Sequence, residues 1–139
     1  MSSKLVLYYF RGSMPSRACL MLSKVLNLDV EIKEVNIPKG QQFSDEFAKI
    51  NPLKRIPVLV DGDFVLNESR AILAYLVNST KPGDALYPLE AKKRAVIDSR
   101  LYYDATVFFP NVTETTRRLL CVSIRTVKMT LGNLIVRKI

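Results

Sequence analysis

Glu68, Ser69 and Arg70 place an acid, a hydroxyl and a base in succession, directly before Ala71, Ile72, Leu73 and Leu76, which share one helical face. A polar residue at such a start acts as an N-cap. The first N–H groups of a helix and the positive end of its dipole form a ready site for a carboxylate. Upstream, Ile56-Pro57 opens the apolar run Pro57–Val60, and Asp61-Gly62-Asp63 reads as the turn of a hairpin. The stretch Asn51–Leu76 is therefore suited to hold a small, charged, peptide-like ligand.

The rest of the composition narrows the chemistry. The chain has no histidine, which removes Ser-His and Cys-His catalysis. Cys19 and Cys121 are too distant in sequence to suggest a zinc motif, and no metal site is expected. Cys19 lies in an apolar helical pattern and is expected to pack as a small hydrophobe. Any reaction must use hydroxyls, carboxylates or a cofactor's own reactive group.

The elements that position these residues fit within 139 residues, enough for one compact domain or one small domain plus a fragment. Lys4–Tyr9 is a short apolar run, as expected of a buried strand. Pro15 suits a first helical turn, and Ala18, Leu22, Val25 and Leu26 give a helical face ending near Asn27. Val30–Ile37 reads as a second strand, and Ser44 begins a capped short helix ending near Ile50. The hairpin and the helix from Ser69 follow. The order βαβ, short helix, ββα implies one parallel pair, one hairpin and a mixed four-stranded sheet. The fold class is thus an α/β thioredoxin-like domain over residues 1–80. Residues 81–88 are a linker. Residues 89–139 form an incomplete all-α domain, with Val96, Ile97, Leu101, Ala105 and Phe108 at helical spacing until Pro110 stops or bends the helix.

The net charge of +8 is unevenly placed, with six basic side chains against one acidic in residues 111–139. No aromatic-basic interleaving accompanies it, so a mildly basic domain with a basic tail is favoured over nucleic-acid binding. No apolar run is long enough to span a bilayer, and the first residues lack a signal-peptide pattern. The expectation is a cytoplasmic protein with neither nucleic-acid nor membrane partners.

The ordered motifs Gly12-Ser13-Met14-Pro15-Ser16-Arg17, Asn51 to Leu66 and Glu68 to Leu76 resemble the cytosolic glutathione S-transferases. The serine-type insect delta and epsilon classes, with the related theta class, are the most similar. The stretch Tyr87–Pro110 resembles the linker and first helix of their C-terminal domain. The resemblance implies a transferase that joins the glutathione thiolate to hydrophobic electrophiles in detoxification. Glutathione would be a co-substrate, with no further cofactor, and the protein a homodimer. Where thioredoxins carry two cysteines, this chain has Ser13 and Ser16, so dithiol exchange is excluded. A hydroxyl at a helix N-terminus can instead stabilise a thiolate, and a fall of ~2 pKa units corresponds to roughly 2.7 kcal/mol. Ser13 is the catalytic candidate; the plainer role is that it only caps the helix. Ser16 is expected as a cap and Arg17 as structural.

The resemblance also implies the glutathione contacts. Ile56, before a cis Pro57, would pair strand-like with the cysteinyl unit. Glu68 would accept from the γ-glutamyl ammonium, Ser69 would hold the neighbouring carboxylate, and Arg70 would assist. Lys54 would reach the glycine carboxylate, with Gln42 standing where family members often have histidine. Tyr102, Phe108 and Phe109 are the candidates for the electrophile pocket, or else core. The resemblance fades after about residue 111, where the charge also changes. That coincidence points to truncation, an alternative 3′ exon or a frame error. The alternative reading is a glutathione-binding or interaction module with little catalysis.

Overall fold

The computed structural model describes residues 4–119. The expected stripe of Leu120, Ile124, Val127, Leu131 and Leu134 lies outside the described residues. Two compact units are present, Met1–Ile97 and Asp98–Ile139.

The first unit is a four-stranded sheet in the order β2-β1-β3-β4. It is built from β1 (Leu5–Tyr9), β2 (Val30–Glu34), β3 (Val58–Asp61) and β4 (Phe64–Asn67). β1 runs parallel to β2, with Leu5 opposite Val30 and Tyr9 opposite Glu34. β3 is antiparallel to both β1 and β4, with Tyr8 and Asn67 opposite Val58 on its two sides. The hairpin turns at Gly62, whose φ of 62° suits glycine.

Alternation along the strands sorts the core into two faces. Leu7 and Leu59 point to one face, with Cys19 and Leu26 of α1 (Met14–Val25 and its cap) and Ile72, Leu76 and Val77 of α3 (Ser69–Thr80). Val58 and Tyr8 point to the other, with Val35 and with Phe47 of α2 (Asp45–Ile50). Tyr8 and Phe47 meet edge to face, centroids 5.9 Å apart. The expected mixed α/β sheet is therefore present, and α2 is capped by Ser44 as expected, its hydroxyl accepting from the Phe47 N–H at 3.2 Å.

Three local expectations change. The buried face of α1 runs through Ser16, Cys19, Ser23 and Leu26, whereas Val25 is 68 % exposed. Small side chains let this helix lie close to α3, and Ser23 satisfies its hydroxyl by donating to the Cys19 carbonyl at 2.8 Å. On α3, Ala71 is exposed while Val77 joins the core. The second strand ends at Glu34, because Asn36 caps a 3-10 turn containing Pro38. α1 closes where expected: Leu28 N–H donates to the Ser23 carbonyl and Asn27 N–H to that of Lys24, with Asn27 left-handed at φ 54°.

Beyond α3, Arg94 ties the linker to the first unit. Its guanidinium donates to the Pro88 carbonyl (2.8 Å) and to Asn78 Oδ1 (3.2 Å) while lying 4.5 Å from the Tyr87 ring centre. The helix α4 (Ala91–Tyr103) buries no residue. Pro110 does not stop the helix. A π-helical segment, Asp104–Phe108, precedes it, and helical residues continue to 119. The Phe109 N–H donates five residues back to Asp104. The wider turn relieves the clash that a proline ring makes with the carbonyl four residues earlier. No described helix is long and apolar enough to cross a membrane.

Candidate functional site

The sheet register brings four connections to one end. β1 is antiparallel to β3 and parallel to β2, and β3 is antiparallel to β4. The segment after β1 (Ser13), that before β3 (Ile56-Pro57), that after β4 (Glu68, Ser69) and that after β2 (Gln42) therefore leave from the same sheet edge. Neighbouring strands lie about 4.8 Å apart, so β1 to β4 spans roughly 10 Å. An extended tripeptide has about that length.

Ser13 is the N-cap of α1. Its Oγ accepts from the Ser16 N–H at 3.3 Å, and its carbonyl accepts from the Arg17 N–H at 3.0 Å. The cap is therefore Ser13 and not Ser16, which is fully buried with its hydroxyl unpartnered among the described residues. Capping uses one lone pair of the Ser13 oxygen and leaves its O–H free to donate. The helix carries no acid in its first turn, so its dipole end is not already neutralised.

The second corner is braced by a residue that the sequence reading passed over. Asn51 is 2 % exposed, its Nδ2 donates to the Arg55 carbonyl at 2.8 Å, and its Oδ1 accepts from the Leu53 N–H at 3.1 Å. These bonds shape the segment leading to the cis Ile56–Pro57 bond. An Asn before a loop is a common turn former, and only its burial marks it here. Pro57 is buried and Ile56 half-buried, whereas Lys54 is exposed in a left-handed conformation at φ 55°.

At the third corner the cap expected of Ser69 is absent. Glu68 occupies the N-cap with φ 66° and ψ 108°, and its side chain makes no capping bond. That backbone is costly for a residue with a β-carbon and recurs where function requires it. Ser69 is the first helical residue, 3 % exposed, and its Oγ accepts from Arg70 Nη1 at 2.9 Å. The Cys19 thiol donates to the Ser69 carbonyl at 3.8 Å. Burial pushes that thiol up to about 12, with Arg70 acting in the opposite sense, so Cys19 is not a nucleophile.

The remaining candidates are dispersed. Gln42 buries its Oε1 without a partner among the described residues. Tyr102, Phe108 and Phe109 belong to the second unit. Tyr102 and Phe108 are 71 % and 56 % exposed. Phe108 lines a shallow groove with Tyr103, Val107 and Val112; Tyr102 and Phe109 do not. A further groove in the first unit is lined by Tyr8, Val35, Gln41, Phe47 and Ile50. Ser13, Ile56, Glu68 and Ser69 line neither. No cluster of three potential metal ligands exists among the described residues.

This sheet order, with two helices on one face, one on the other and a cis-proline before β3, defines a thioredoxin-like domain. Residues 3–78 match the glutathione S-transferase N-terminal domain, and the chain belongs to the glutathione S-transferase family. Glutathione S-transferase 1 of Manduca sexta is 42 % identical over 107 residues, 76 % of this chain and 49 % of the relative. An epsilon-class glutathione S-transferase from the housefly, Musca domestica, superimposes with a TM-score of 0.79 at 40 % identity, over 86 % of this chain and 56 % of that one. A glutathione transferase homologue from Drosophila mojavensis, solved with bound glutathione, gives 0.74 at 39 %, over 76 % and 48 %. The chain spans about half the length of the curated relatives it matches.

Proposed function

We propose that this chain binds glutathione across the sheet end and conjugates its thiolate to hydrophobic electrophiles. The observation that carries the reading is the convergence of the segments bearing Ser13, Ile56-Pro57 and Glu68-Ser69 on one end of the sheet, where β1 to β4 span about a tripeptide's length. The bound glutathione of the Drosophila mojavensis homologue supports it.

In this reading Glu68 accepts from the γ-glutamyl ammonium. The Ser69 N–H, with the dipole of α3, faces the adjacent carboxylate. Arg70 holds the Ser69 hydroxyl in place. The Ile56 main chain pairs with the cysteinyl unit, and Lys54 and Gln42 serve the glycine end. Ser13 donates its O–H to the sulphur while the α1 N-terminus stabilises the negative charge, so more of the thiol is thiolate at neutral pH. Sulphur then attacks the electrophile, whose leaving group departs with the bonding pair. Tyr102, Phe108 and Phe109 are the candidates to contact that electrophile. Glutathione is the only co-substrate proposed, with no resident cofactor. A homodimer in the cytoplasm completes the reading.

A second reading, glutathione binding with weak catalysis, is favoured by one observation: α4 buries none of its residues. Glutathione-dependent thermal shift run beside conjugation of 1-chloro-2,4-dinitrobenzene separates the two. A shift with turnover supports the transferase, a shift alone supports the binding module, and neither removes both.

A further inference from the structure

Arg11 sits in the turn between β1 and α1, which is closed by the Ser13 N–H donating to the Phe10 carbonyl at 2.9 Å. At Gly12, the next residue, an added β-carbon would lie 2.6 Å from Cε1 of Phe10. The Phe10 ring therefore fills the space beside Gly12, where a larger residue would displace it. Arg11 is held two residues from Ser13, with Cα atoms no more than about 7 Å apart. It is exposed, and it has no ion pair or hydrogen bond from its guanidinium among the described residues.

Arg11 is not alone. Arg17 lies in the first turn of α1, where acids are favoured and none is present. Lys54 and Arg55, before Pro57, are also exposed and make no ion pair among the described residues. Glu34 and Glu68 are the acids at the ends of β2 and β4. Unneutralised cations bordering a site raise the local concentration of anions.

Glutathione brings two carboxylates, which the reading above assigns to the β4–α3 corner and to Lys54. The turn carrying Arg11 stands at the sulphur end, where glutathione has none. Resting on that reading, we propose that Arg11 is a specificity-determining residue selecting electrophiles that carry an anionic group, such as an aryl halide with a ring carboxylate. Sulphur attacks the carbon bearing the halogen, the C–S bond forms, and the C–halogen bond breaks with halide taking the electron pair. The thiol proton goes to solvent. Arg11 holds the ring carboxylate and takes no part in the bond changes.

The test is calorimetric titration of the full chain with glutathione, S-(2,4-dinitrophenyl)glutathione and S-(4-carboxy-2,6-dinitrophenyl)glutathione. An exposed guanidinium–carboxylate pair predicts about a three- to fivefold preference for the carboxylated conjugate, decreasing with added salt. Arg11→Gln should remove the preference while glutathione and the neutral conjugate bind within about twofold of wild type. Arg11→Glu should reverse it. Glutathione binding with no preference in the wild type, or a preference that survives in both variants, overturns the proposal alone. No glutathione binding by the wild type overturns the earlier reading and this one with it.

Discussion

The Cys19 thiol donates to the Ser69 carbonyl across 3.8 Å, joining the middle of α1 to the first residue of α3. The helix capped by Ser13 and the helix begun beside Glu68 are thus held together behind the sheet edge. Cys19 is fully buried and its thiol is pushed up to about 12. In a Cys121→Ser background, iodoacetamide at pH 8 should leave native Cys19 unlabelled and modify it readily in denaturant. Rapid native labelling, read by mass, would contradict this burial.

Ser13 combines a cap with a proposed thiolate donor, and two substitutions separate the roles. Ser13→Ala loses both, costing about 1 kcal/mol of stability and about 1.5–3 kcal/mol in kcat/KM, the scale of a hydrogen bond to a charged group. Ser13→Asp keeps a good cap but presents a carboxylate that cannot donate. Its melting temperature should stay near wild type while conjugation is lost. Wild-type turnover in Ser13→Asp would reduce Ser13 to a cap.

Asn51→Ala removes two bonds and leaves the Arg55 carbonyl without its Asn51 partner. A typical intramolecular hydrogen bond contributes about 0.5–1.5 kcal/mol, so losing the two costs about 1–3 kcal/mol. Chemical denaturation should report that loss, and glutathione affinity should fall with it because the Ile56 main chain is no longer braced. A destabilised variant with unchanged affinity would separate Asn51 from the site.

Glu68 sits at φ 66°, where glycine is at ease and other residues are strained. Glu68→Gly should therefore melt no lower than wild type, the relief of about 1 kcal/mol offsetting the greater freedom of the unfolded chain. Glutathione affinity should fall about tenfold with loss of the carboxylate. Lost affinity without a lower melting temperature is the signature, and unchanged affinity would remove Glu68 from the site.

Tyr75 donates its hydroxyl proton to Asp61 Oδ2 at 2.7 Å, and that bond raises its pKa above 10.0. A folded-state pKa above the unfolded one contributes stability that is present below pH 10 and lost as pH rises through the folded value. Tyr75→Phe should cost about 1 kcal/mol at pH 7, and the gap to wild type should close at high pH. A pH-independent gap would separate the loss from ionisation of the hydroxyl, since Tyr75→Phe keeps the ring whose centre lies 5.2 Å from that of Phe64.

The sheet was legible because its signals are local: an apolar run at Leu5–Tyr9, a Gly62 turn, a Ser44 cap. The phase of α1 was not. Apolarity favours Val25, but close approach of two helices selects Cys19 and Ser23 for their size. The three corners of the site were legible as residues. Which of them caps was not, because Glu68 is held in a backbone conformation that its sequence does not announce. Asn51 was missed because nothing but burial distinguishes it from an ordinary loop asparagine.

The π-helical segment before Pro110 has a consequence for the surface that follows it. A regular helix turns about 100° per residue, and a wider turn takes up an extra residue without advancing the pattern. Side chains at 109–119 in the second unit therefore stand out of phase with those at 98–103. Any seam written at one regular spacing through both stretches would be broken there. Pro110 acts as an indexing tooth: it lets one continuous rod present a first surface before the proline and a differently aimed one after it.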